Sequence, residues 1–351
     1  MRAGGFLVLL AACGGSSAST DATVYELPAP PDGRPPIVEP IHFYGRWSAM
    51  SASWPGAAIA TRFSGTQLQA TFNDTGQEWL EVTVDDTALP PIHLTGGTQT
   101  VTLATGLAAG EHDVVVAKRT EAFFGTVRFD GFVGATIIPT PRATRQIELI
   151  GDSITAGYGV LGAEPCMFNQ ATEAEPHAWA AFAAHDLGAA HTSLAYSGIG
   201  MAINGDGTSV NTMPMRYGRA FADQPSSIWT FQDRPDVVVI ALGTNDFSRG
   251  DPGVAYEDAF VAFITDQVRV HAPGVPVLLA TSPMMSGAAR TQMRTRLDTV
   301  VTRLADPKIS VVEIAEQIPA DGYGCDYHPN ETTQRKSATA LVPAIRAATG
   351  W

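Results

Sequence analysis

Two continuous apolar runs in the C-terminal part of the chain constrain its fold most strongly. They span residues 236–242 and 277–280, and a third run, which includes one Glu, lies at 147–150. Strands that are buried on both faces of a parallel sheet have this uninterrupted pattern. The alternation of strands with helices predicts an α/β layer domain with a parallel sheet over residues 145–351. The helical patterns lie at residues 176–187, 254–271, 288–305 and 331–348.

The pattern is different before Pro139-Thr140-Pro141. Residues 38–139 contain short runs in which apolar and polar residues alternate, and Gly, Asp and Pro interrupt them. Alternation with frequent turn residues is typical of antiparallel β-sandwiches. We therefore predict an all-β, jelly-roll domain ahead of the α/β domain, since 351 residues are enough for two domains. The predicted strands are 58–63, 68–72, 80–84, 99–103, 112–116 and 126–129.

The N-terminal segment predicts export. Arg2 precedes an apolar run at 6–12, which is too short to span a bilayer but suits a secretory signal. The residues that end at Cys13 are similar to a bacterial lipobox, so we expect a lipoprotein signal peptide over 1–13, lipidation of Cys13 and a flexible tether over 14–37. The protein is then expected at the cell envelope or surface, where the lipid anchor is its only membrane contact. The alternative is a plain signal peptide with an incidental cysteine, and secretion.

The net charge and the cysteine content limit which partners and cofactors we expect. The formal net charge of −13 disfavours a nucleic-acid partner, because a polyanion would be repelled. Lipidation of Cys13 leaves Cys166 and Cys325 of the three cysteines, and they are a candidate disulfide in an oxidising compartment. The common zinc, calcium and nucleotide motifs do not occur in the sequence. We therefore expect no metal and no cofactor.

Three segments carry residues suited to catalysis. Ser153 follows the strand at 147–150 and begins a helix, whose free N–H groups can stabilise an oxyanion; alternatively, Ser153 only caps that helix. Asn245 follows the run at 236–242 and could donate its amide to an oxyanion, although Asn-Asp is also ordinary turn chemistry. His328 in a late loop has a side chain suited to general-base work, and Asp326 could orient its ring.

The order of these segments resembles that of the SGNH (GDSL-type) hydrolases. The matching blocks are Gly151-Asp152-Ser153, Ser197-Gly198-Ile199-Gly200, Gly243-Thr244-Asn245-Asp246 and Asp326-Tyr327-His328-Pro329. The resemblance implies a flavodoxin-like three-layer sandwich with Ser153 as nucleophile and His328 as base. It also implies an oxyanion hole formed by the N–H of Ser153, the amide of Asn245 and a glycine of the second block. Gly200 matches that glycine best, and Gly198 is the alternative.

One position departs from the family pattern. The family commonly has Asp three residues before the histidine, where this chain has Cys325, and Asp326 is only two before it. Two arrangements remain open. Either the carboxylate of Asp326 reaches His328 from a shifted backbone, which we favour, or a main-chain carbonyl replaces it and the unit is a Ser–His dyad.

Segments of the N-terminal domain resemble one particular family of esterases. Residues 42–47, 63–66 and 118–121 are similar to segments of the family two carbohydrate esterases, of the acetyl xylan esterase type. The resemblance implies removal of O-acetyl groups from polysaccharides such as xylan or mannan. Taken without the family, Lys118-Arg119-Thr120-Glu121 is a charged run that belongs to a solvated face or to a domain contact.

Two other functions remain open at this point. One is an SGNH lipase or thioesterase with an acyl-lipid substrate, and the other is a glycan-binding surface lipoprotein with weak activity. In the esterase hypothesis the partner is an acetylated polysaccharide or oligosaccharide. Aromatic side chains that could stack on its sugars are Tyr158, Tyr327 and Trp229, although core packing is the favoured interpretation for Trp229.

Overall fold

The structure is a computed structural model that describes residues 37–351. The predicted signal peptide, the lipidation site Cys13 and all but the last residue of the predicted tether lie outside the described residues, so those predictions stay untested. Among residues 37–351, no helix is long and apolar enough to cross a membrane.

The N-terminal part is all-β, as predicted. Its nine-stranded antiparallel sheet is built on the long pair β4 and β8, to which β9 and β5 add on either side. Ile59 and Phe63 from one half of β4 and Leu68 and Phe72 from the other half are buried in the same core, so both halves of this long strand contribute to it. The strands are β1 Val38–Glu39, β2 His42–Tyr44, β3 Ser51–Ala52, β4 Ala58–Asp74, β5 Trp79–Val84, β6 Thr87–Ala88, β7 Ile92–His93, β8 Gly97–Lys118, β9 Val127–Val133, β10 Thr136–Ile138 and β11 Thr140–Pro141.

In two places, two neighbouring predicted strands form one continuous strand in the structure. The runs 58–63 and 68–72 both belong to β4, and 99–103 and 112–116 both belong to β8. The pairing of β4 with β8 shifts register between Gly65 and Gln67 and again between Leu68 and Gln69. A bulge inserts a residue into one strand and interrupts the alternation of faces, so in the sequence it has the same signature as a turn.

The C-terminal part is the predicted α/β domain with a parallel sheet. Its five strands, taken in chain order, lie in the spatial order second, first, third, fourth, fifth, which is the flavodoxin-like order. They are β12 Gln146–Gly151, β13 Ala190–Ala195, β14 Val237–Ala241, β15 Val277–Ala280 and β16 Ile309–Val312. The helices are α1 Ser153–Ala156, α2 Trp179–Asp186, α3 Met213–Arg216, α4 Val254–Phe263, α5 Arg269–His271, α6 Gly287–Leu304 and α7 Glu331–Thr349.

Helices cover both faces of this sheet. Val237 and Val239 of β14 pack with residues of α2 and α7, whereas Val238 and Ile240 pack with residues of α4 and α6. Successive strand side chains point to opposite faces, so an uninterrupted apolar run supplies both cores. The predicted three-layer architecture is therefore confirmed. The helix predicted at 254–271 is helical throughout, with a π-helical segment at Ile264–Val268 between α4 and α5.

The charged run at 118–121 lies between the two domains. Lys118, Arg119 and Glu121 are all at most 2% exposed. Arg119 donates hydrogen bonds to the main-chain oxygen of Glu173 in the second domain, at 3.0 and 3.2 Å. The run 118–121 is therefore not a solvated face. The other interpretation of these residues, a domain contact, is confirmed. A charged side chain tolerates such burial only when it is paired and hydrogen-bonded.

Trp229 also belongs to the domain contact. Its ring lies 5.5 Å from the guanidinium of Arg46, a fully buried side chain of the first domain. Arg46 donates a 2.9 Å hydrogen bond to the main-chain oxygen of Arg219 in the second domain. Trp229 is only half-buried, so it packs at the domain contact and not in a core, where the favoured interpretation placed it.

Candidate active site

The catalytic candidates meet at the carboxyl edge of the parallel sheet. Ser153 begins α1 directly after β12, Asn245 follows β14, and His328 lies shortly before α7. The ends of adjacent parallel strands share one edge of a sheet, so residues far apart in sequence come together there. Ser153 Oγ lies 2.9 Å from His328 Nε2, across 175 residues of sequence.

Asp152, and not Ser153, caps helix α1. Oδ1 of Asp152 accepts a 3.0 Å hydrogen bond from the N–H of Ile154. The alternative in which Ser153 only caps the helix is therefore wrong, and its hydroxyl is left to bond His328. Burial raises the pKa of Asp152 to about 7. The glycine before it is required by a close approach, since a Cβ on Gly151 would lie 2.0 Å from Thr155 Oγ1.

The hydrogen bonds of His328 set its tautomer. Nδ1 lies 3.2 Å from the main-chain oxygen of Asp326. A carbonyl oxygen can only accept, so in the neutral ring Nδ1 carries the hydrogen and Nε2 is left as an acceptor for the Ser153 hydroxyl. Burial is the main cause that lowers the pKa of His328 below its usual value, which favours this neutral form. His328 is thereby prepared to act as a general base.

The carboxylate of Asp326 does not contact His328, so the favoured triad arrangement is wrong. Its Oδ2 accepts hydrogen bonds from Tyr158 Oη at 2.9 Å and from the N–H of Phe168 at 3.1 Å. The backbone of Asp326 is left-handed, with φ of 51°, and this conformation presents its carbonyl to the imidazole while its side chain reaches the 158–168 segment. The structure therefore has the second arrangement, a Ser–His dyad whose histidine is oriented by a main-chain carbonyl.

A disulfide joins the histidine loop to the segment that follows the serine. Cys166 and Cys325 are bonded, as predicted for the pair. Hydrogen bonds flank it on both sides: the N–H of Cys325 donates to the oxygen of Gly159 at 3.0 Å, and the N–H of Asp326 donates to the oxygen of Cys166 at 3.1 Å. The left-handed turn at Asp326 is therefore held by covalent and polar contacts together. Its role in placing His328 was not foreseen from the sequence.

The oxyanion candidates are only partly as expected. The N–H of Gly200 donates a 3.0 Å hydrogen bond to Asn204 Oδ1, so the prediction that this N–H serves the oxyanion hole is wrong. Gly200 is instead required by packing, because a Cβ there would lie 1.9 Å from the oxygen of Ile203. Within residues 37–351, the N–H groups of Ser153 and Gly198 have no hydrogen-bond acceptor. Gly198, the alternative, is the glycine whose N–H remains available.

The amide of Asn245 has one firm and one weak contact. Nδ2 donates to the oxygen of Ile199 at 2.8 Å and approaches Asp152 Oδ2 only at 3.5 Å. A hydrogen bond of 3.5 Å is weak, so the second N–H of the amide can donate a hydrogen bond to a substrate oxygen instead. Asn245 therefore fits its predicted role as an oxyanion donor.

Asp246 holds the second block in place, a role that sequence reasoning missed. Its carboxylate is 3% exposed and accepts hydrogen bonds from three successive main-chain N–H groups at 2.7–2.9 Å. These belong to Met201, Ala202 and Ile203. These bonds tie the residues directly after Gly200, and through them the second block, to the loop after β14. Its place next to Asn245 was the only signal for it in the sequence.

Two of the three candidate aromatic residues lie beside the dyad. The ring of Tyr158 is stacked on that of Phe168, with 3.6 Å between the ring centroids, and its centroid lies 4.2 Å from that of the His328 ring. Tyr327 is 60% exposed next to His328. In the described part of the chain, no group of three or more His, Cys, Asp or Glu side chains could hold a metal ion.

The comparisons with known families agree with the two domains. Residues 43–141 match the family described as "Carbohydrate esterase 2 N-terminal". Residues 149–336 match the "GDSL-like Lipase/Acylhydrolase family".

Similar proteins cover both domains. "Cellulase/esterase CelE" of Acetivibrio thermocellus is 34% identical over 311 residues, which are 85% of this chain, and the chain spans 38% of the length of that relative. An "Acetylxylan esterase / glucomannan deacetylase" of Cellvibrio japonicus is 28% identical over 316 residues, covering 85% of this chain and 86% of the relative. A solved family two carbohydrate esterase from Clostridium thermocellum, in complex with cellohexaose, has a TM-score of 0.84 and 33% identity and covers 89% of this chain and 99% of its own.

Proposed function

Because the chain belongs to the family two carbohydrate esterases, we propose that it removes O-acetyl groups from polysaccharides such as xylan or mannan. The observation that carries the proposal is the 2.9 Å contact of Ser153 Oγ with His328 Nε2, together with the carbonyl on Nδ1 that sets the tautomer of the ring. A serine hydroxyl is a weak nucleophile until a neighbouring base takes its proton. This dyad supplies the base in the required form.

The first half of the proposed reaction makes an acetyl-enzyme. His328 Nε2 takes the hydroxyl proton while Ser153 Oγ attacks the acetyl carbonyl carbon. The negative charge on the former carbonyl oxygen is stabilised by the N–H groups of Ser153 and Gly198 and by the amide of Asn245. When the tetrahedral intermediate collapses, the carbon–oxygen bond to the sugar breaks, and the imidazolium returns its proton to the sugar oxygen.

The second half releases acetate with the same groups. His328 Nε2 takes a proton from water, and the resulting hydroxide equivalent attacks the acetyl-Ser153 carbonyl. Collapse of the second intermediate breaks the bond to Oγ, and the imidazolium gives the proton back to Ser153. In both halves, the main-chain oxygen of Asp326 accepts from Nδ1–H and stabilises the positive ring.

The substrate class is supported by the relatives. The Cellvibrio japonicus relative is named for acetylxylan and glucomannan, and the Clostridium thermocellum structure contains cellohexaose. The exposed ring of Tyr327 and the Tyr158–Phe168 stack beside the dyad offer flat apolar faces, on which sugar rings can stack.

We expect the protein to release acetate from acetylated xylan and glucomannan and to hydrolyse p-nitrophenyl acetate faster than p-nitrophenyl octanoate. Acetate release is followed over time, and NMR of the polysaccharide identifies the ester positions that disappear. Faster turnover of octanoate would favour the lipase or thioesterase alternative and overturn the glycan proposal. Binding of the polysaccharide without release of acetate would favour a glycan-binding protein.

The dyad predicts that Asp326→Asn retains activity. The variant keeps the main-chain oxygen that orients His328, so we expect kcat for p-nitrophenyl acetate to fall less than about tenfold. In a Ser-His-Asp triad the same exchange costs about 10⁴-fold in kcat. A loss near that size would show that the carboxylate of Asp326 orients the histidine after all.

The pH profile of the same variant gives a second readout. His328 must be neutral to act as base, and its lowered pKa in the wild type places the acidic inflection of kcat/KM below pH 6.5. The negative charge of Asp326 partly opposes the effect of burial by raising the pKa of His328. Removal of that charge in Asp326→Asn should therefore move the inflection to a still lower pH. A shift to higher pH would contradict this assignment.

A further inference from the structure

Glu121 of the N-terminal domain reaches into the hydrolase domain at the second sequence block. The side chain is fully buried, with 0% exposure. Its two carboxylate oxygens accept hydrogen bonds from the main-chain N–H and from the hydroxyl of Ser197. Hydrogen bonds to an ionised group are stronger than neutral ones, and two of them together restrict the orientation of Ser197.

Ser197 directly precedes the available oxyanion donor. The N–H of Gly198 belongs to the peptide group that joins Ser197 to Gly198, so the orientation of Ser197 sets the direction of that N–H. On the other side, the N–H of Tyr196 donates to the oxygen of Gly151 at 3.3 Å, close to Ser153. An oxyanion donor is effective only when it is held in place before the charge develops.

Both domains hold Glu121 itself. Its main-chain N–H donates to Glu173 Oε2 of the hydrolase domain at 2.8 Å, and its main-chain oxygen accepts from Lys118 Nζ at 3.3 Å. Lys118 in turn pairs with the buried Glu78 at 2.8 Å. Burial raises the pKa of Glu121 above its usual value, and burial together with the charge of Glu121 raises the pKa of Glu173 further, so Glu173 is the member of the pair that holds the proton.

The residues that follow Glu121 contact the same segment. Phe123 packs edge-on against the ring of Tyr196, with 5.9 Å between the ring centroids. The turn at Glu121–Phe123 therefore touches both Tyr196 and Ser197, the two residues that lead into Gly198. Polar and aromatic contacts from the N-terminal domain converge at this point.

We infer that Glu121 is a positioning residue for the oxyanion hole, which makes the N-terminal β-domain a working part of the esterase site. The carboxylate holds Ser197 so that the N–H of Gly198 points at the charge that develops on the substrate oxygen. This inference rests on the proposed function, since it concerns the transition state of ester hydrolysis.

The test compares kcat and KM for p-nitrophenyl acetate in three variants. Glu121→Ala should lower kcat about 10–100-fold, which is less than the loss of about 10²–10³-fold expected for removal of an oxyanion donor. KM should change by less than about twofold, because the contact acts on the transition state. Glu121→Gln keeps an oxygen for the N–H of Ser197 and should recover most of the lost kcat. Ser197→Ala loses one of the two bonds and should lower kcat about threefold to tenfold.

Glu148→Gln is the matched control. Glu148 is also a buried carboxylate at the domain contact, where it accepts a 2.8 Å hydrogen bond from Tyr217 Oη and lies 3.7 Å from Arg46. It does not contact the second block, so Glu148→Gln should keep the wild-type kcat even where its Tm falls.

The outcomes separate the inference from the proposed function. A folded Glu121→Ala with wild-type kcat, or one that changes only KM, would overturn the inference and leave the esterase proposal intact. If Glu121→Ala does not fold, Ser197→Ala and Glu121→Gln decide, and wild-type kcat in Ser197→Ala would overturn the inference. A wild type without any esterase activity would overturn the proposed function and the inference together.

Discussion

Ser153→Ala should lower kcat for acetate release by about 10⁴–10⁶-fold, the loss known for removal of a serine nucleophile. The alanine has no oxygen to form the acetyl-enzyme, so only the oxyanion donors and substrate binding remain. The fold should be unaffected, because Asp152 caps α1 and, within residues 37–351, the Ser153 hydroxyl bonds only the ring of His328. Stopped assays of acetate release over hours, with equal Tm for both proteins, measure the effect.

His328→Ala provides the matched comparison. The serine and the histidine act as one unit, so we expect each single variant to lose about as much activity as the double variant, and their effects should not add. Residual activity of Ser153→Ala near the wild-type level would show that another residue is the nucleophile. A double variant far below both single variants would show that the two residues act separately.

Loss of the Cys166–Cys325 disulfide should give the largest effect on stability. The bond closes a loop between residues 159 apart, for which the chain-entropy argument gives about 5 kcal/mol, and removal of a native disulfide typically costs about 2–5 kcal/mol in the free energy of unfolding. The double variant Cys166→Ser, Cys325→Ser removes the bond without leaving a free thiol at the site. Its midpoint of guanidinium unfolding should be clearly lower than that of the wild type.

The same variant should also lose activity. Asp326 and His328 follow Cys325 in the loop that the disulfide ties to the 158–168 segment, so without the bond the carbonyl on Nδ1 is held less firmly. We expect kcat to fall about tenfold, because small displacements of a catalytic group are costly. Wild-type protein treated with a reductant serves as the control and should behave like the variant. Unchanged stability and kcat in both would contradict this role.

The disulfide bears on where the protein works. Disulfides persist in oxidising compartments. Export, which the N-terminal segment predicts, and lipidation of Cys13, which lies outside the described residues, stay predictions.

Much of the fold could be predicted because its signals are local. The uninterrupted apolar runs of β14 and β15 show burial on both faces, and the alternating runs of the β-domain show a sheet with one buried face. These patterns depend only on residues that are close together in the sequence. The bulges in β4 could not be predicted in this way, because a bulge depends on how the partner strand is aligned.

The sequence by itself determined the two-domain architecture, because apolar runs and alternating runs are local signals. Its resemblance to the SGNH hydrolases, and not the strand pattern alone, paired Ser153 with His328. Only the tertiary structure decided what orients the histidine: a left-handed backbone at Asp326 sends the carbonyl to the ring and the carboxylate to Tyr158. The hydrogen bond between Glu121 and Ser197 across the domain contact was likewise visible only in the tertiary structure. Such contacts depend on the packing of distant segments and on single backbone dihedrals, for which the residue types nearby carry no signal.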